Sequence, residues 1–423
     1  MPGKNRVIMR WSALLGAAMV WGCTDAPTEP RANTPAASAA VEHFWDANAT
    51  TRWNARATHL LQFTTVTPPN GQAWASRTLT YLSIAQYRAI LLATAPSNRS
   101  KRPSVSAAVA RASVDILTRF YLQTPGYSPA ATIPATLEQM LVSDQSAPGL
   151  PGEANTDVAL GDALGHQVAL AVWSQAQNDG YTAAATTTAF NALQATRPLG
   201  SGYWVPNATG PGIVRSLWGV RPFFLDPATD FLLSPPPPVY ADLQTAAAGV
   251  LSLQTDASPA ERQAHDSIAN LWNKTPANGP FTAGEWNQRA VALITSHHRT
   301  ELEAARILAY ANVAAFDSQI DCFVTKYAYW VPRPKQVNNA ITQLFAVPNH
   351  PSYPSGHSCI SSAFAAMLSN AFPDRESREW LAALREEAGW SRIYAGIHYP
   401  ADIDAGAGVG ARCAAKTIAG SLE

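Results

Sequence analysis

Apolar and polar residues alternate along most of the chain with the spacing of α-helices rather than of β-strands. Between Ala159 and Asp179, apolar residues recur at helical spacing until Gly180 interrupts the pattern. Strand-like alternation bounded by turn residues is scarce, so we expect an all-α protein. The same spacing predicts helices over Val41–Phe63, Trp74–Thr94, Val105–Leu122, Ala260–Trp272, Ala283–Ser296 and Arg299–Lys326.

Two irregular regions interrupt the helical pattern. Residues 124–156 are rich in Pro, Ser and Gly and are predicted to form a long surface loop. Residues 199–239 turn to Gly, Pro and aromatic residues and end in a four-proline run that favours extended polyproline structure. This run is the best candidate boundary between an N-terminal helical region, residues 41–240, and a C-terminal helical domain, residues 241–423. We therefore expect two packed helical bundles.

Composition adds one restriction on partners. Of 423 residues, 47% are hydrophobic and 14% are charged, which is typical of a globular protein with a large core. The 30 basic and 30 acidic side chains give a formal net charge of +0. Without an excess of positive charge, binding of nucleic acid or of an anionic membrane surface is not expected. Any anion binding must depend on a local cluster of cations.

The N-terminus predicts export. Basic residues precede an apolar run from Trp11 to Gly22, which is too short to span a bilayer but suits a signal peptide over residues 1–22. The run ends in Val-Trp-Gly-Cys, which resembles a bacterial lipobox and makes Cys23 the candidate lipid-modified first residue. Residues 23–40 then form a predicted flexible tether. The expected location is the periplasm or cell envelope, with the lipid on Cys23 as the membrane attachment; the alternative is ordinary secretion with cleavage nearby.

The sequence does not decide whether the remaining cysteines form a disulfide. Apart from Cys23, the chain has Cys322, Cys359 and Cys413. In an oxidising compartment one disulfide could form, and the sequence leaves all three pairings open. Because no Cys-x-x-Cys motif or His/Cys cluster with zinc spacing occurs, a structural zinc site is not expected.

Three segments of the C-terminal third carry residues that can bind an anion. In the first, KYAYWVPRP, Lys326 lies near the end of a predicted helix that Pro332 and Pro334 terminate. Arg333 is therefore expected at the exit of that helix. A Lys and an Arg at a helix C-terminus also complement the helix dipole, so this segment alone is weak evidence for a site.

The second segment, HPSYPSGH, runs from His350 to His357 and leads into another predicted helix. Ser355 is expected to cap that helix, and Gly356 lets the backbone approach a ligand closely. The helix N-terminus offers free N–H groups and the positive end of its dipole to an anion. The alternative is that Ser355 only caps the helix and His357 lies on its surface.

The third segment, SRIYAGIHYPAD, contains the residues best suited to chemistry. Pro400 fits the first turn of a final helix, which puts His398 just before it and Asp402 one turn inside. Asp402 can therefore fix the tautomer of His398 and leave one ring nitrogen free as a ligand or nucleophile. Arg392 lies among apolar residues, where a buried guanidinium needs a compensating anion. The alternative is a His–Asp pair that only caps a helix.

Together the three segments predict a cationic cage for a tetrahedral or trigonal oxyanion. Their order and spacing, Lys-x6-Arg-Pro, Pro-Ser-Gly-His and Ser-Arg-x5-His-x3-Asp, resembles the signature of vanadium-dependent haloperoxidases and type-2 phosphatidic acid phosphatases. The upstream sequence is similar to bacterial exported members of the haloperoxidase branch. The resemblance implies an active site in the C-terminal bundle, and it is compatible with a homo-oligomer.

The resemblance also implies a cofactor and a role for each site residue. Vanadate is the implied cofactor, and phosphate could occupy the same site. His398 would bind vanadium directly, His357 would act as the acid–base residue, and Lys326 would polarise the peroxide. The vanadate oxygens would be held by Lys326, Arg333, Ser355, Gly356 and Arg392. The expected reaction is oxidation of a halide by hydrogen peroxide, with a small organic molecule as a further acceptor.

Two residues bear on the choice of halide. His350 occupies a position where brominating members resemble His and chlorinating members resemble Phe. Phe323 stands where chlorinating relatives carry a Trp that shapes the halide pocket. The resemblance therefore favours bromide or iodide over chloride.

Two other functions stay open on the same residues. Vanadate and phosphate are near-isosteric, so the cage also suits a phosphatase, in which His398 would form a phosphohistidine and His357 would protonate the leaving group. The other alternative is a non-catalytic lipoprotein that binds an anion. The two histidines argue against that alternative, because binding alone needs neither a nucleophile nor an acid.

Overall fold

The computed structural model describes residues 49–62, 71–95, 101–124, 127, 132–146, 153, 156–197, 200, 202–207, 214–275 and 279–422. The predicted signal peptide and tether lie outside the described residues. The N-terminal half contains helices α1 (Ala49–Gln62), α2 (Gly71–Thr94), α3 (Val105–Gln123), α4 (Thr132–Ser146), α5 (Val158–Gln177) and α6 (Ala184–Ala195). Two parallel strands of two residues each, β1 (Arg102–Pro103) and β2 (Thr156–Asp157), and a 3-10 turn, Arg215–Gly219, complete it.

The C-terminal half is also helical. Its helices are α7 (Tyr240–Thr255), α8 (Pro259–Leu271), α9 (Phe281–Ser296), α10 (Glu301–Tyr329), α11 (Pro334–Val337), α12 (Gly356–Ala371), α13 (Arg375–Tyr394) and α14 (Pro400–Ala419). The all-α prediction is confirmed, and every predicted helix is present with ends shifted by a few residues where the structure describes them. Among the described residues, no helix is both long enough and apolar enough to cross a membrane.

One sequence prediction is wrong in part. The region 124–156, expected to be a surface loop, contains the four-turn helix α4. Leu137 and Leu141 are buried one turn apart and attach α4 to the main core. A short apolar face of this kind is difficult to recognise in a sequence whose flanking residues are rich in Pro, Ser and Gly.

Helix α10 connects the two halves of the molecule. It begins with a capping box in which the Thr300 side chain accepts from the Glu303 N–H and the Glu303 carboxylate accepts from the Thr300 N–H. It ends where Trp330 takes a left-handed φ of 58° just before the prolines. Between these ends it packs against α2 of the N-terminal half and against α12 and α14 of the C-terminal half. One hydrophobic core therefore runs through both halves.

Close packing of α14 on α12 brings the second and third motifs together. A Cβ at Gly406 would stand 2.7 Å from the Ser355 carbonyl oxygen, and one at Gly410 would stand 2.4 Å from that of Cys359. Glycine at these positions therefore permits the two helices to approach with backbones almost in contact. This approach sets the distance between the start of α12 and the start of α14.

The three cysteines beyond the N-terminal segment lie in the same contact region. Cys322, Cys359 and Cys413 are buried in one apolar cluster with Leu225 and Val409. All three are free thiols, so none of the pairings that the sequence allowed is formed in the structure.

Candidate active site

A cavity of about 370 Å³ opens where α9, α10 and α12 meet the loops before α12 and α14. The predicted site residues divide into two groups around it. Those that line the cavity are Phe323, Arg333, His350, Gly356, His357, Arg392 and His398. Those buried behind its wall, each no more than 1% exposed, are Lys326, Ser355 and Asp402. All three sequence motifs thus meet at one place.

His398 is held by Asp402 across the start of α14. Asp402 Oδ2 accepts from His398 Nδ1 at 2.7 Å, from the Tyr399 N–H at 3.1 Å and from Ser352 Oγ at 2.6 Å. Burial raises the pKa of Asp402, and these donors oppose that rise by stabilising the charged form. The proton of His398 therefore lies on Nδ1, and Nε2 carries a lone pair.

Arg333 approaches that lone pair from the end of α10. Its Nη1 lies 3.0 Å from His398 Nε2, and a guanidinium can only donate, so Nε2 is the acceptor. Burial, together with the charges of Arg333 and Lys326, holds the pKa of His398 well below its usual range. His398 is therefore a neutral imidazole whose unprotonated nitrogen, Nε2, faces a cation.

The remaining partners of Arg333 are neutral. Its Nε donates to the His350 carbonyl at 3.0 Å, its Nη1 to the Ile397 carbonyl at 2.8 Å and its Nη2 to His350 Nδ1 at 3.0 Å. Burial lowers the pKa of Arg333 to about 10, which leaves the group charged at neutral pH. No salt bridge to a carboxylate compensates this charge within the described residues.

Arg392 is a second buried guanidinium, and it has no acidic partner among the residues that the structure describes. It is 2% exposed and lies at the end of α13. Its Nε donates to Ser391 Oγ and its Nη2 to the Ala269 carbonyl, both at 2.9 Å, and its Cζ lies 5.1 Å from the ring centroid of Phe345. Burial lowers the pKa of Arg392 to about 9. Like Arg333, it brings to the cavity a positive charge that the protein leaves uncompensated.

Lys326 lies deeper than the sequence suggested. Its ammonium donates to the carbonyls of Pro351 at 3.0 Å, Ser352 at 2.7 Å and Pro354. All three N–H bonds are thereby used to hold the segment that leads into α12. Burial lowers the pKa of Lys326 to about 8. Its charge supports the cage from behind the wall, while its direct contacts are with backbone.

The start of α12 supplies the remaining elements of the cage. The Ser355 side chain caps the helix by accepting from the Ser358 N–H. A Cβ built at Gly356 would meet nothing within 4 Å, so the backbone here faces open cavity. The free N–H groups of this helix turn are therefore accessible to an anion.

His357 is oriented by two groups that the motifs did not reveal. Its Nε2 lies 3.0 Å from the Trp272 carbonyl and 3.1 Å from Thr282 Oγ1. Because a carbonyl can only accept, Nε2 carries the proton and Nδ1 is free. Burial and the charge of Arg392 hold the pKa of His357 well below its usual range. His357 is therefore a neutral imidazole that can accept a proton at Nδ1.

The charges of the site do not balance. Among the described residues that form the cage, Lys326, Arg333 and Arg392 are cationic and Asp402 is the one carboxylate. Buried charge of one sign is costly unless a ligand compensates it. No group of three or more His, Cys, Asp or Glu side chains in the described part of the chain could hold a metal cation. The excess of positive charge in the cage is complementary to an anion.

The residues expected to influence halide choice lie at the same cavity. The rings of Phe323 and His350 meet edge to face with their centroids 5.0 Å apart. Both side chains are buried, and His350 Nδ1 lies 3.0 Å from Arg333 Nη2 and 3.0 Å from the Pro351 carbonyl oxygen. Burial and the charges of Lys326 and Arg333 hold the pKa of His350 well below its usual range, so this imidazole is also neutral.

Comparison with known protein families places these motifs. Residues 305–420 match the PAP2 superfamily. This part of the chain is similar to that superfamily, and we call residues 305–420 the PAP2-like region. Its limits enclose Lys326, Arg333, the PSGH segment, Arg392, His398 and Asp402, but they exclude Trp272 and Thr282. Part of the setting of His357 therefore comes from outside the PAP2-like region.

The sequence relatives are acid phosphatases, whereas the similar solved structures are haloperoxidases. Over 60 residues the chain is 47% identical to the non-specific acid phosphatase of Salmonella typhi and 45% identical to that of Salmonella typhimurium. These matches cover 14% of this chain and 23% of each phosphatase, so the chain spans about a quarter of the length of the curated relatives it matches. The likeness is confined to a short stretch.

Solved structures resemble the chain over most of its length. The first bacterial vanadium-dependent iodoperoxidase superposes with a TM-score of 0.68 at 22% identity, covering 88% of this chain and 95% of that one. A holo-type bacterial vanadium-dependent chloroperoxidase superposes with a TM-score of 0.61 at 12% identity, covering 84% and 93%. At these identities the likeness establishes a shared fold, which includes the N-terminal helices outside the PAP2-like region.

Proposed function

We propose that this protein is a vanadate-dependent haloperoxidase that oxidises a halide with hydrogen peroxide. The observation that carries the proposal is the buried excess of cations around a neutral His398, within a chain that shares a haloperoxidase fold over 88% of its length. An oxyanion would compensate the charges of Arg333 and Arg392. The oxyanion would also contact the unprotonated Nε2 of His398.

The donor set fits vanadate. Arg333, Arg392 and the N–H groups at Gly356 would hold its oxygens, with the charge of Lys326 behind them, and His398 Nε2 would be the ligand to vanadium. Vanadate, when bound, would supply the Lewis-acidic centre at which peroxide becomes electrophilic toward a halide. Asp402 would keep His398 in the tautomer that this contact requires.

His357 would handle protons. Its Nε2–H is tied to the Trp272 carbonyl, so any proton accepted or returned must pass through Nδ1. Since the pKa of His357 is held below its usual range, the residue is unprotonated at neutral pH and can accept a proton from hydrogen peroxide. Phe323 and His350 would border the halide, for which we propose bromide or iodide rather than chloride.

A phosphatase is the second candidate, and the short match to acid phosphatases favours it. The same geometry would let His398 Nε2 attack phosphorus. Arg333 and Arg392 would stabilise the developing charge, while His357 would protonate the leaving oxygen. This candidate accounts for the cage but gives no reason for the haloperoxidase-like fold of the N-terminal half.

One experiment separates the candidates. The purified protein is loaded with vanadate and assayed for triiodide and tribromide formation from peroxide, beside hydrolysis of 4-nitrophenyl phosphate. We expect halide oxidation that requires vanadate and is abolished in His398→Ala. The matched control is His166→Ala, a half-exposed histidine on α5 far from the cage motifs in sequence. Hydrolysis of the phosphate ester alone, inhibited by vanadate, would overturn the haloperoxidase proposal.

We also propose that the protein is exported and anchored to the cell envelope through a lipid on Cys23. The support is the basic residues, apolar run and lipobox-like end of the N-terminal segment. Radiolabelled fatty acid should be incorporated by the wild-type protein and not by Cys23→Ala. Equal labelling of the two proteins would rule out this anchor.

A further inference from the structure

The cavity is larger than an oxyanion requires. Its volume is about 370 Å³, whereas a water molecule occupies roughly 30 Å³ in the liquid. An oxyanion of five heavy atoms replaces only a few such molecules and leaves more than half of the cavity open. Cavities of about 300–1,000 Å³ are the usual size for small organic ligands.

The wall beyond the cage is mostly apolar and aromatic. It is formed by Val214, Phe281, Phe323, Phe345 and Ile360. Val214 and Phe281 hold left-handed φ angles of 61° and 60°, which such residues adopt only where the surrounding packing fixes them. The three phenylalanine rings come from separate segments and border the same cavity. Such a wall is suited to a flat, apolar ring.

Polar side chains also line the cavity, and Gln72, Lys274 and Thr282 among them have partners within the protein. Gln319 lies on α10 two turns before Lys326, lines the cavity and is 1% exposed. Its Oε1 is buried and accepts no hydrogen bond from any described residue. A buried carbonyl oxygen without a donor is unfavourable, and nearly all such groups in folded proteins find a partner. The missing donor is therefore expected to come from a ligand.

The charge of the cage limits what that donor can be. Arg333 and Arg392 line the same cavity and form no salt bridge with a carboxylate of the described residues, so an ammonium group would be repelled. A carboxylate has no proton to give to Gln319 at neutral pH. A hydroxyl group on a neutral aromatic ring satisfies both conditions, because it donates one hydrogen bond and leaves the ring among the phenylalanines.

We propose that Gln319 and the surrounding phenylalanines form a subsite for a hydroxylated aromatic compound, whose hydroxyl donates to Gln319 Oε1. Binding at this subsite stands independently, and turnover rests on the proposed haloperoxidase function. In turnover the bound ring would react with the hypohalous acid made at the cage. A ring carbon forms the bond to halogen, the halogen–oxygen bond breaks with its electrons on oxygen, and the displaced ring proton joins the hydroxide as water.

The binding test uses a matched pair of probes, 2-naphthol and 2-methoxynaphthalene, which differ in the hydroxyl proton. Calorimetric titrations are run on the full chain in saturating inorganic phosphate, so that the cage is occupied. We expect wild-type protein to bind 2-naphthol about tenfold more tightly than the ether, and Gln319→Leu to bind the two probes within twofold. Gln319→Met serves as a second variant, and thermal unfolding verifies that both are folded.

The control makes the same chemical change elsewhere. Gln288 is exposed on α9 and does not line this cavity, so Gln288→Leu should keep the tenfold preference. Equal binding of the two probes by wild type, or a preference that survives in Gln319→Leu, would overturn the subsite. Triiodide formation is measured on the same wild-type sample, so absence of halide oxidation contradicts the proposed function while the naphthol preference still decides the subsite.

Discussion

Two buried arginines, one in each half of the chain, lie in opposite electrostatic surroundings. In the N-terminal half, Arg77 on α2 is 4% exposed and its Nε donates to Asp179 Oδ2 at 2.7 Å. In the C-terminal half, Arg392 on α13 is 2% exposed and donates only to a hydroxyl and a carbonyl. No carboxylate in the described part of the chain forms a salt bridge with it.

The difference teaches how a buried cation marks a site. Arg77 is surrounded by the rings of Tyr81, Phe120 and Tyr181 and is neutralised by Asp179, which makes it part of the core. Arg392 is equally buried and also lies against a ring, but its charge is left for a ligand to compensate. Burial alone does not separate the two; the presence or absence of a counter-ion does.

The largest effect is expected from breaking the N-terminal pair. Arg77→Met leaves Asp179 buried without its cation, so the free energy of unfolding should fall by about 3–5 kcal/mol. Urea titration of the variant measures this loss. The double variant Arg77→Met/Asp179→Leu should recover part of it. A loss below about 1 kcal/mol would mean that the Arg77–Asp179 pair contributes little to stability, which would contradict its structural role.

The same substitution in the C-terminal half should act on activity instead. Arg392→Met removes a donor aimed at the oxyanion and should lower kcat by about 100- to 1,000-fold, equivalent to roughly 3–4 kcal/mol. Its stability without anion should be unchanged or higher, because an uncompensated buried charge is removed. Steady-state kinetics and urea titration are measured on one preparation. Unchanged kcat, or strong destabilisation, would erase the contrast with Arg77.

The stabilisation of the protein by a bound anion should depend on Arg392 in the C-terminal half and not on Arg77 in the N-terminal half. Phosphate at 100 times its Kd should raise the unfolding free energy of wild type by about 2.7 kcal/mol. The Arg77→Met variant starts from lower stability but should show the same increment. In Arg392→Met the increment at the same phosphate concentration should be largely lost. Equal increments in all three proteins would place the phosphate outside the cage.

The pH dependence of anion binding should follow Lys326. Its pKa is lowered by burial to about 8, so the ammonium is charged below pH 8 and neutral above it. Sulfate, whose charge does not change in this range, should therefore bind with constant affinity well below pH 8 and with an affinity that falls by up to about tenfold per unit above it. Calorimetry across this range measures the slope. Lys326→Met should bind more weakly and show no such break, whereas a break retained in the variant would assign it to another group.

The smallest effect is expected at Thr282, which contacts His357 from outside the PAP2-like region. Thr282→Val removes the hydroxyl and should lower kcat by about 2- to 10-fold, the value of one hydrogen bond. Thr282→Ser keeps the hydroxyl and should remain near wild type. The pH profile of kcat is measured for both, since a loosened His357 changes the profile and a packing defect does not. Identical profiles and rates would remove Thr282 from the site.

The cage could be predicted because its members lie in three short segments whose neighbours fix their conformation. Helix α10 ends at Tyr329, shortly before the prolines that flank Arg333; Ser355 caps α12, and Pro400 starts α14 with Asp402 one turn from His398. These are local effects that a sequence displays directly. The long, strongly periodic helices were predictable for the same reason.

What could not be predicted depends on chain segments that meet only in the folded protein. The Trp272 carbonyl and Thr282 reach His357 from a stretch without a motif, and Gln319 is an unremarkable polar residue until the cavity surrounds it. The sequence also shows that Lys326 is charged but not where its ammonium points. That direction is set by three carbonyls of the segment before α12, which pack against α10 through tertiary contacts.

The glycines of α14 have a consequence for how the site forms during folding. Each glycine inside a helix costs about 1 kcal/mol relative to alanine, so Gly406 and Gly410 make α14 a poor helix by itself. Its helical state must be supplied largely by docking on α12, where the same glycines allow close approach. The contact between His398 and Asp402 spans the first turn of this helix, so it forms only when the two helices have already met. We therefore expect the geometry of His398 and the docking of α14 on α12 to form together during folding.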